Sequence, residues 1–405
     1  MRHSLVRLDN DPTMGACFSV PESSLIAAAY CGDINLLHTA LRNGVNVNAR
    51  SKHGDSALCI VAARGYTECL RVLLDKGADV NYVNYGRTAL SFAAQFGHTT
   101  CLRLLLEKGA DVNATLALSL AFTGGHAECA RLLLDKDVDL NELLKPKTRA
   151  GDRALARAAR DGHTECLSLL LEKGADVNDS NNEGNTALIL AAHNGHTECL
   201  SLLLEKGADV NASNNEGNTA LIFAAHNGHT SCLRLLLEKG ADVSASHNEG
   251  NTALIFAANN GHTSCLRLLV EKGVDVNASN KNGDPALVRA VSRGYPECVQ
   301  VLVQSGADLN YVDKDNGFTA LMYAACHGRE KCATMLLRQG ADVRPRSYNG
   351  NTALMLAKNK RYVSIVQLLL RYGAVDENVT QSTASDTGFK DFIRGAALVA
   401  KVFAS

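Results

Sequence analysis

Residues 181–213 read NNEGNTALILAAHNGHTECLSLLLEKGADVNAS, and residues 214–246 read NNEGNTALIFAAHNGHTSCLRLLLEKGADVSAS. The two blocks of 33 residues differ at four positions, so they are copies. The step continues outward in both directions. Gly162, Gly195, Gly228, Gly261 and Gly294 are 33 residues apart, and Gly328 follows after 34. Cys166, Cys199, Cys232, Cys265 and Cys298 keep the same beat. A fixed period of this length marks a tandem array, which overrides any domain count from chain length.

One copy can be read from its side chains. Thr186 stands at the head of a short apolar segment, where its hydroxyl can cap the first turn. Leu188, Ala191 and Ala192 recur three and four apart and share a helical face. The paired alanines let a second helix approach closely. Gly195 stops the segment because it tolerates a left-handed backbone. Thr197 opens a second helix with Cys199, Leu200, Leu203 and Leu204 on its apolar side. Lys206 suits the negative end of that helix, and Gly207 closes it. The polar stretch ADVNASNNEGN is turn-rich and fits a hairpin-like loop into the next copy. A single copy cannot bury its apolar faces, whereas stacked copies can.

The pattern G-x-T-A-L-x-x-A-A-x-x-G-H followed by L-L-L-x-x-G-A-D-V-N resembles the ankyrin repeat. That family usually opens its first helix with Thr-Pro-Leu-His. Here the segment is Thr-Ala-Leu-Ile at 186–189 and 219–222, so the preorganising proline and the buried histidine are both missing. The resemblance implies an all-α fold, a solenoid of stacked helix-turn-helix units joined by hairpin-like loops. It covers 21–377 with eleven repeats, leaving 1–20 as an N-terminal segment and 378–405 as a linker plus a C-terminal amphipathic helix. Residues 21–50 lack the Gly-x-Thr opening and suit an N-terminal cap. The step from Gly97 to Gly125 is only 28 residues and the next, to Gly162, is 37, so the array is irregular at 113–150. The last repeat has Arg361 in the place of a glycine, and Lys358, Asn359 and Lys360 are expected on its surface.

Composition narrows the function. Lys plus Arg number 41 against 42 Asp plus Glu, a net charge of -1, which argues against a general nucleic-acid binder. No run of 18 apolar residues would span a membrane, and the first residues lack the apolar stretch of a secretory signal. Nine of the 13 cysteines (69, 101, 129, 166, 199, 232, 265, 298 and 332) occupy one position of the second helix. Equivalent positions lie about 10 Å apart, one packing layer, which is too far for a disulfide or a shared tetrahedral zinc. Buried, reduced thiols are expected, in a cytoplasmic protein. A nuclear alternative rests on Lys145, Lys147, Arg149 and Arg153. The recurring His163, His196, His229 and His262 are read as hydrogen-bonding loop backbone, not as catalysts.

Neither flank is long enough for a catalytic domain, and no nucleotide loop, metalloprotease motif or nucleophile elbow occurs. No catalytic residue, cofactor or metal is therefore expected. The resemblance implies a non-enzymatic scaffold or adaptor that binds one or more proteins on the concave face made by hairpin tips and first helices. By that resemblance Asn182, Glu183, Asn185, His193 and Asn194 are exposed there, with Asn215, Glu216, Asn218, His226 and Asn227, then Asn248, Glu249, Asn251, Asn259 and Asn260. Aromatic and arginine side chains are the usual interface anchors. Tyr85, Arg87 and Phe96 on one side, and Arg289, Arg293, Phe318 and Tyr323 on the other, are the leading binding candidates. Glu183, His193, Glu216, His226 and Glu249 are the weaker groove candidates. Phe389, Phe392, Ile393, Ala396, Val399 and Phe403 fall on one helical face. Residues 389–403 could cap the last repeat, or make peripheral membrane contact in a membrane-associated adaptor. A site for chemistry in the groove is the remote alternative, because near-identical repetition does not build one preorganised pocket.

Overall fold

The computed structural model describes residues 21–112, 115–136 and 154–376. They form eleven helix pairs, beginning with Pro21–Cys31 and Ile34–Arg42 and ending with Ala353–Asn359 and Val363–Arg371. Among the described residues the only β-structure is isolated bridges, such as Ser213 to Thr219. The chain divides into two compact units, one up to Asn181 and one from Asn182.

The local rules of the repeat produce this directly. Thr186, in extended conformation, caps Ala187–Asn194 by accepting the Ile189 amide. Gly195 ends that helix in the left-handed region at φ 79°. Ala187, Leu188, Ile189, Ala191 and Ala192 are all buried, so the first helix is covered on nearly every side. The second helix, Thr197–Glu205, buries only Cys199, Leu200 and Leu203 and turns its polar side to solvent. The bridge at 213–219 closes a small hairpin, in which the Asn214 amide donates to Asn218 O over 3.0 Å.

In the C-terminal unit each first helix packs on the next first helix, and each second helix on the next second helix. Polar ties run alongside. The Asn211 carboxamide oxygen accepts the Asp242 amide at 2.8 Å, and Asn277 accepts that of Asp308 at 2.8 Å. Hairpin tips join through backbone: the Asn215 amide donates to Glu183 O (3.0 Å) and the Asn248 amide to Glu216 O (2.8 Å).

The N-terminal unit follows the same plan. Asn48 accepts the Asp79 amide at 2.8 Å, and Asn81 accepts the Asp111 amide at 2.7 Å. The irregular copy keeps both helices, Thr115–Gly124 and Ala127–Leu134. Ala154–Asp161 packs on the first of these and Thr164–Glu172 on the second, the first-helix pair less extensively than elsewhere in this unit. The basic stretch with Lys145, Lys147, Arg149 and Arg153 lies outside the described residues, as do 389–403. No helix among the described residues is long and apolar enough to cross a membrane.

Three expectations need correction. Asn185 and Asn218 are not exposed: they are 8% and 6% accessible. Asn185 accepts from the Asn214 carboxamide at 2.9 Å and donates to Glu183 at 3.0 Å, so the stack uses it. Lys358 is half-buried and ion-paired with Asp376, and only Asn359 and Lys360 of that trio are exposed. The Gly-His rings reach further than their own loops. His262 Nε2 donates to His226 O, one repeat back, at 3.0 Å, and His98 Nε2 to Ala63 O at 3.0 Å.

Candidate functional site

In the N-terminal unit the hairpin at 84–87 is the tightest. The Asn84 and Arg87 backbones exchange two hydrogen bonds of 2.9 Å, leaving Tyr85 and Gly86 as a two-residue turn. Both have positive φ, 47° and 77°, the mirror-image turn that suits hairpins. Gly86 takes that conformation freely, whereas Tyr85 is strained there. The turn presents this tyrosine to solvent, 89% exposed. Arg87 turns back, donating to Gln95 Oε1 at 2.8 Å and lying 5.6 Å over the Phe92 ring. Phe96 follows the first helix, Ala89–Gln95, and is 40% exposed. Tyr82 is committed to the stack, through Gly54 O and the Arg50 guanidinium.

In the C-terminal unit two of the candidates near its far end, Phe318 and Tyr323, gather around one buried carboxylate. Asp313 is 1% exposed. Its carboxylate accepts the amides of Asp315 (2.9 Å), Asn316 (2.6 Å) and Phe318 (3.2 Å), and the Tyr323 hydroxyl at 2.8 Å. Burial and this bond to a carboxylate push the Tyr323 hydroxyl well above its usual range. The Phe318 ring meets Tyr323 edge-on at 5.4 Å, and His327 stacks on Tyr323 at 6.1 Å. Arg289 pairs with Asp284 at 2.6 Å. Burial raises the Asp284 carboxyl, opposed by Arg289 and reinforced by Asp313 and Asp315. Of the four candidates here, Arg293 alone is exposed, and its Nε donates to Asn259 Oδ1 at 3.3 Å.

The middle repeats are less uniformly polar than their sequence suggests. Glu183, Glu216 and Glu249 are exposed at successive tips. Behind them lies a floor of Leu190, Phe223 and Phe256, all half-buried at one register position of the first helix. His193 meets Phe223 edge-on at 4.7 Å, and His226 and His247 meet Phe256 at 5.2 and 5.1 Å. Burial lowers the His193 pKa, and His226 and His229 lower it further. Sequence reasoning missed Phe223, Phe256 and Asp313. The aromatics read as core because they sit inside the ALIF segment, and only their register beside the half-buried Leu190 points outward.

The nine ladder cysteines are all buried. Burial pushes the Cys166 thiol up to about 12 and the Cys332 thiol up to about 11. Several have a threonine hydroxyl from the preceding repeat within hydrogen-bond reach, as Thr230 is of Cys265 at 3.5 Å. No group of three or more His, Cys, Asp or Glu side chains suited to a metal occurs among the described residues.

Comparison with known proteins accords with this geometry. A family model described as ankyrin repeats (3 copies) matches residues 25–116, 114–181, 155–247, 244–313 and 306–381. The crystal structure of the human ASB11 ankyrin repeat domain is similar, with 28% identity and a TM-score of 0.50, over 55% of this chain and 98% of that one.

Proposed function

This chain belongs to the ankyrin-repeat family, and from that premise we propose that it is a non-enzymatic scaffold that binds partner proteins along its concave face. The carrying observation is the division of labour among its polar side chains. The repeated histidines, the obvious candidates for chemistry, are spent on stacking, as His229 Nε2 is on His193 O at 3.1 Å. What the stack leaves over faces the groove: Tyr85 and Phe96 in one unit, and in the other the exposed Glu183, Glu216, Glu249 and Arg293 above the half-buried Phe223 and Phe256. Aromatic and arginine side chains of this kind anchor interfaces, and exposed carboxylates add specificity at the rim.

The test begins with a partner captured by the full chain. Its affinity is then measured for two groove variants, Tyr85→Ser with Phe96→Ser, and Glu183→Gln with Glu216→Gln and Glu249→Gln. Arg71→Ala with Arg267→Ala, on exposed sides of second helices, is the control. At least one groove variant should weaken binding by about tenfold, in line with loss of an interface anchor, while the control does not. Loss in the control with both groove variants unaffected would put the interface on the outer face.

A further inference from the structure

The residue preceding the position that closes each first helix, Gly195 in the first of these repeats and Arg361 in the last, changes character along the C-terminal unit. It is Asn194, Asn227 and Asn260 in three repeats, then Arg293, His327 and Lys360 in the next three. Two of the asparagines have a structural task. Asn227 Nδ2 donates to His193 O at 2.8 Å, and Asn260 Nδ2 to His226 O at 2.8 Å, each tying its repeat to the one before. From Arg293 onward a cation or an imidazole stands in place of the carboxamide: Arg293 Nε donates to Asn259 Oδ1 of the repeat before at 3.3 Å, and His327 Nδ1 to Tyr323 O of its own helix at 3.0 Å. Arg293, His327 and Lys360 are all exposed. Among the described residues none of the three has a carboxylate within ion-pair distance, whereas the neighbouring Arg289 and Lys358 are paired with Asp284 and Asp376. Favourable placement at a helix C-terminus accounts for little of this, since the same helix ends are served by asparagine in the preceding repeats.

The three side chains form a row. Their helices, Ala286–Arg293, Ala320–His327 and Ala353–Asn359, pack in succession, and Lys360 directly follows the last. Packed helices are spaced about 10 Å apart. A chain in the polyproline II conformation advances about 3.1 Å per residue with about three residues per turn, so every third side chain lies on one face and keeps step with the row. The opposite edge of the groove carries Glu183, Glu216 and Glu249 in the earlier repeats. Opposite charges thus stand at opposite ends of this unit's groove, which favours one direction of a bound chain.

We propose that Arg293, His327 and Lys360 receive an extended acidic segment of a partner protein, with Asp or Glu at every third position. This rests on the groove reading above and names the chemistry of its partner. The probe is a fluorescein-labelled peptide of about ten residues with Glu at every third position and prolines between, which favour the polyproline II conformation. Controls are the same peptide with Gln for Glu, and a single-stranded oligonucleotide of equal charge. The full chain is compared with Arg293→Asn, His327→Asn and Lys360→Asn combined, which installs the residue that repeats with Asn227 and Asn260 already carry. Anisotropy should show the Glu peptide bound, the triple variant weakened by about tenfold or more, and affinity falling as salt rises. Equal binding by the variant, no binding of the Glu peptide, or equal binding of the oligonucleotide would each overturn the assignment. If groove variants still abolish capture of the natural partner while the peptide fails, the groove reading survives and only the acidic row is lost.

Discussion

His262 closes on Gly228, the glycine that ends the first helix of the preceding repeat: a Cβ added to Gly228 would come within 2.6 Å of the imidazole Nδ1. The other ring nitrogen donates to His226 O at 3.0 Å. Gly228 itself has φ 77°, so the position requires glycine twice, for its backbone and for the ring beneath it. The same seat holds Tyr295 under Gly261 and Arg329 under Gly294, and Arg329 Nε still reaches the Ser292 carbonyl at 3.1 Å.

Gly228→Ala should therefore destabilise the protein by about 2 kcal/mol or more, as a left-handed residue acquires a side chain against a packed ring. Adding His262→Ala should relieve the clash but leave the backbone strain and forfeit the strut. Urea unfolding followed by circular dichroism checks both. A double variant as stable as the unmodified chain would show that the ring contributes nothing.

Tyr85 gives the opposite sign. It is a non-glycine residue at φ 47° whose side chain is almost wholly exposed. Tyr85→Gly or Tyr85→Asn should leave stability unchanged or raise it by about 1 kcal/mol, since both accept that backbone more readily. A drop in Tm on either change would mean that the ring makes a stabilising contact.

Burial lowers the pKa of His126, against the raising effect of its bond to Gln95 O, and also that of His193. In the unfolded chain a histidine takes its proton near pH 6.5. As pH falls below that value the unfolded state binds more protons, so stability is full above it and is lost as pH drops through the lowered folded values. Tm should fall between about pH 7.5 and 5.5, and less steeply in His126→Asn with His193→Asn. A flat profile would contradict the burial of these rings.

The thiols move the other way. Burial raises Cys166 to about 12 and Cys59 to about 11. Their contribution is intact below the unfolded thiol pKa of about 8.5 and is lost as pH rises toward the folded values. At neutral pH, alkylation of the native protein should modify the exposed Cys31 and the half-buried Cys326 first among the described residues. Mass mapping should find the nine ladder positions protected until denaturant is added. Early modification of Cys232 or Cys265 would show that the stack opens readily in its middle.

Much of this was legible in the residues because each repeat solves its local problems locally. Thr186 caps, Gly195 turns, and Cys199 and Leu200 go inside, whatever the neighbours do. What was not legible depends on the register between neighbours. Asn185 resembles any polar tip residue until Asn214 is placed beside it at 2.9 Å. Phe256 resembles core until its ring is seen between His226 and His247. Asp313 is a different case: its four donors all lie within ten residues of it, and only the folding of its own loop brings them together. Spacing along one chain carries no direct record of such pairings between repeats, although it does report the period that makes them recur.

The ties between the middle repeats share one property: donor and acceptor stand one repeat apart and at fixed places within it. Excise residues 214–246 as a block, and the Asn248 amide that now donates to Glu216 O would find Glu183 O in the same spot. The Asn260 carboxamide would likewise meet the carbonyl of His193 in place of that of His226. Insertion of a whole copy is equally silent. The length of this stretch is thus open to recombination in steps of one repeat, with no new contact to invent, and two blocks that still differ at only four positions are what such a lengthening leaves behind.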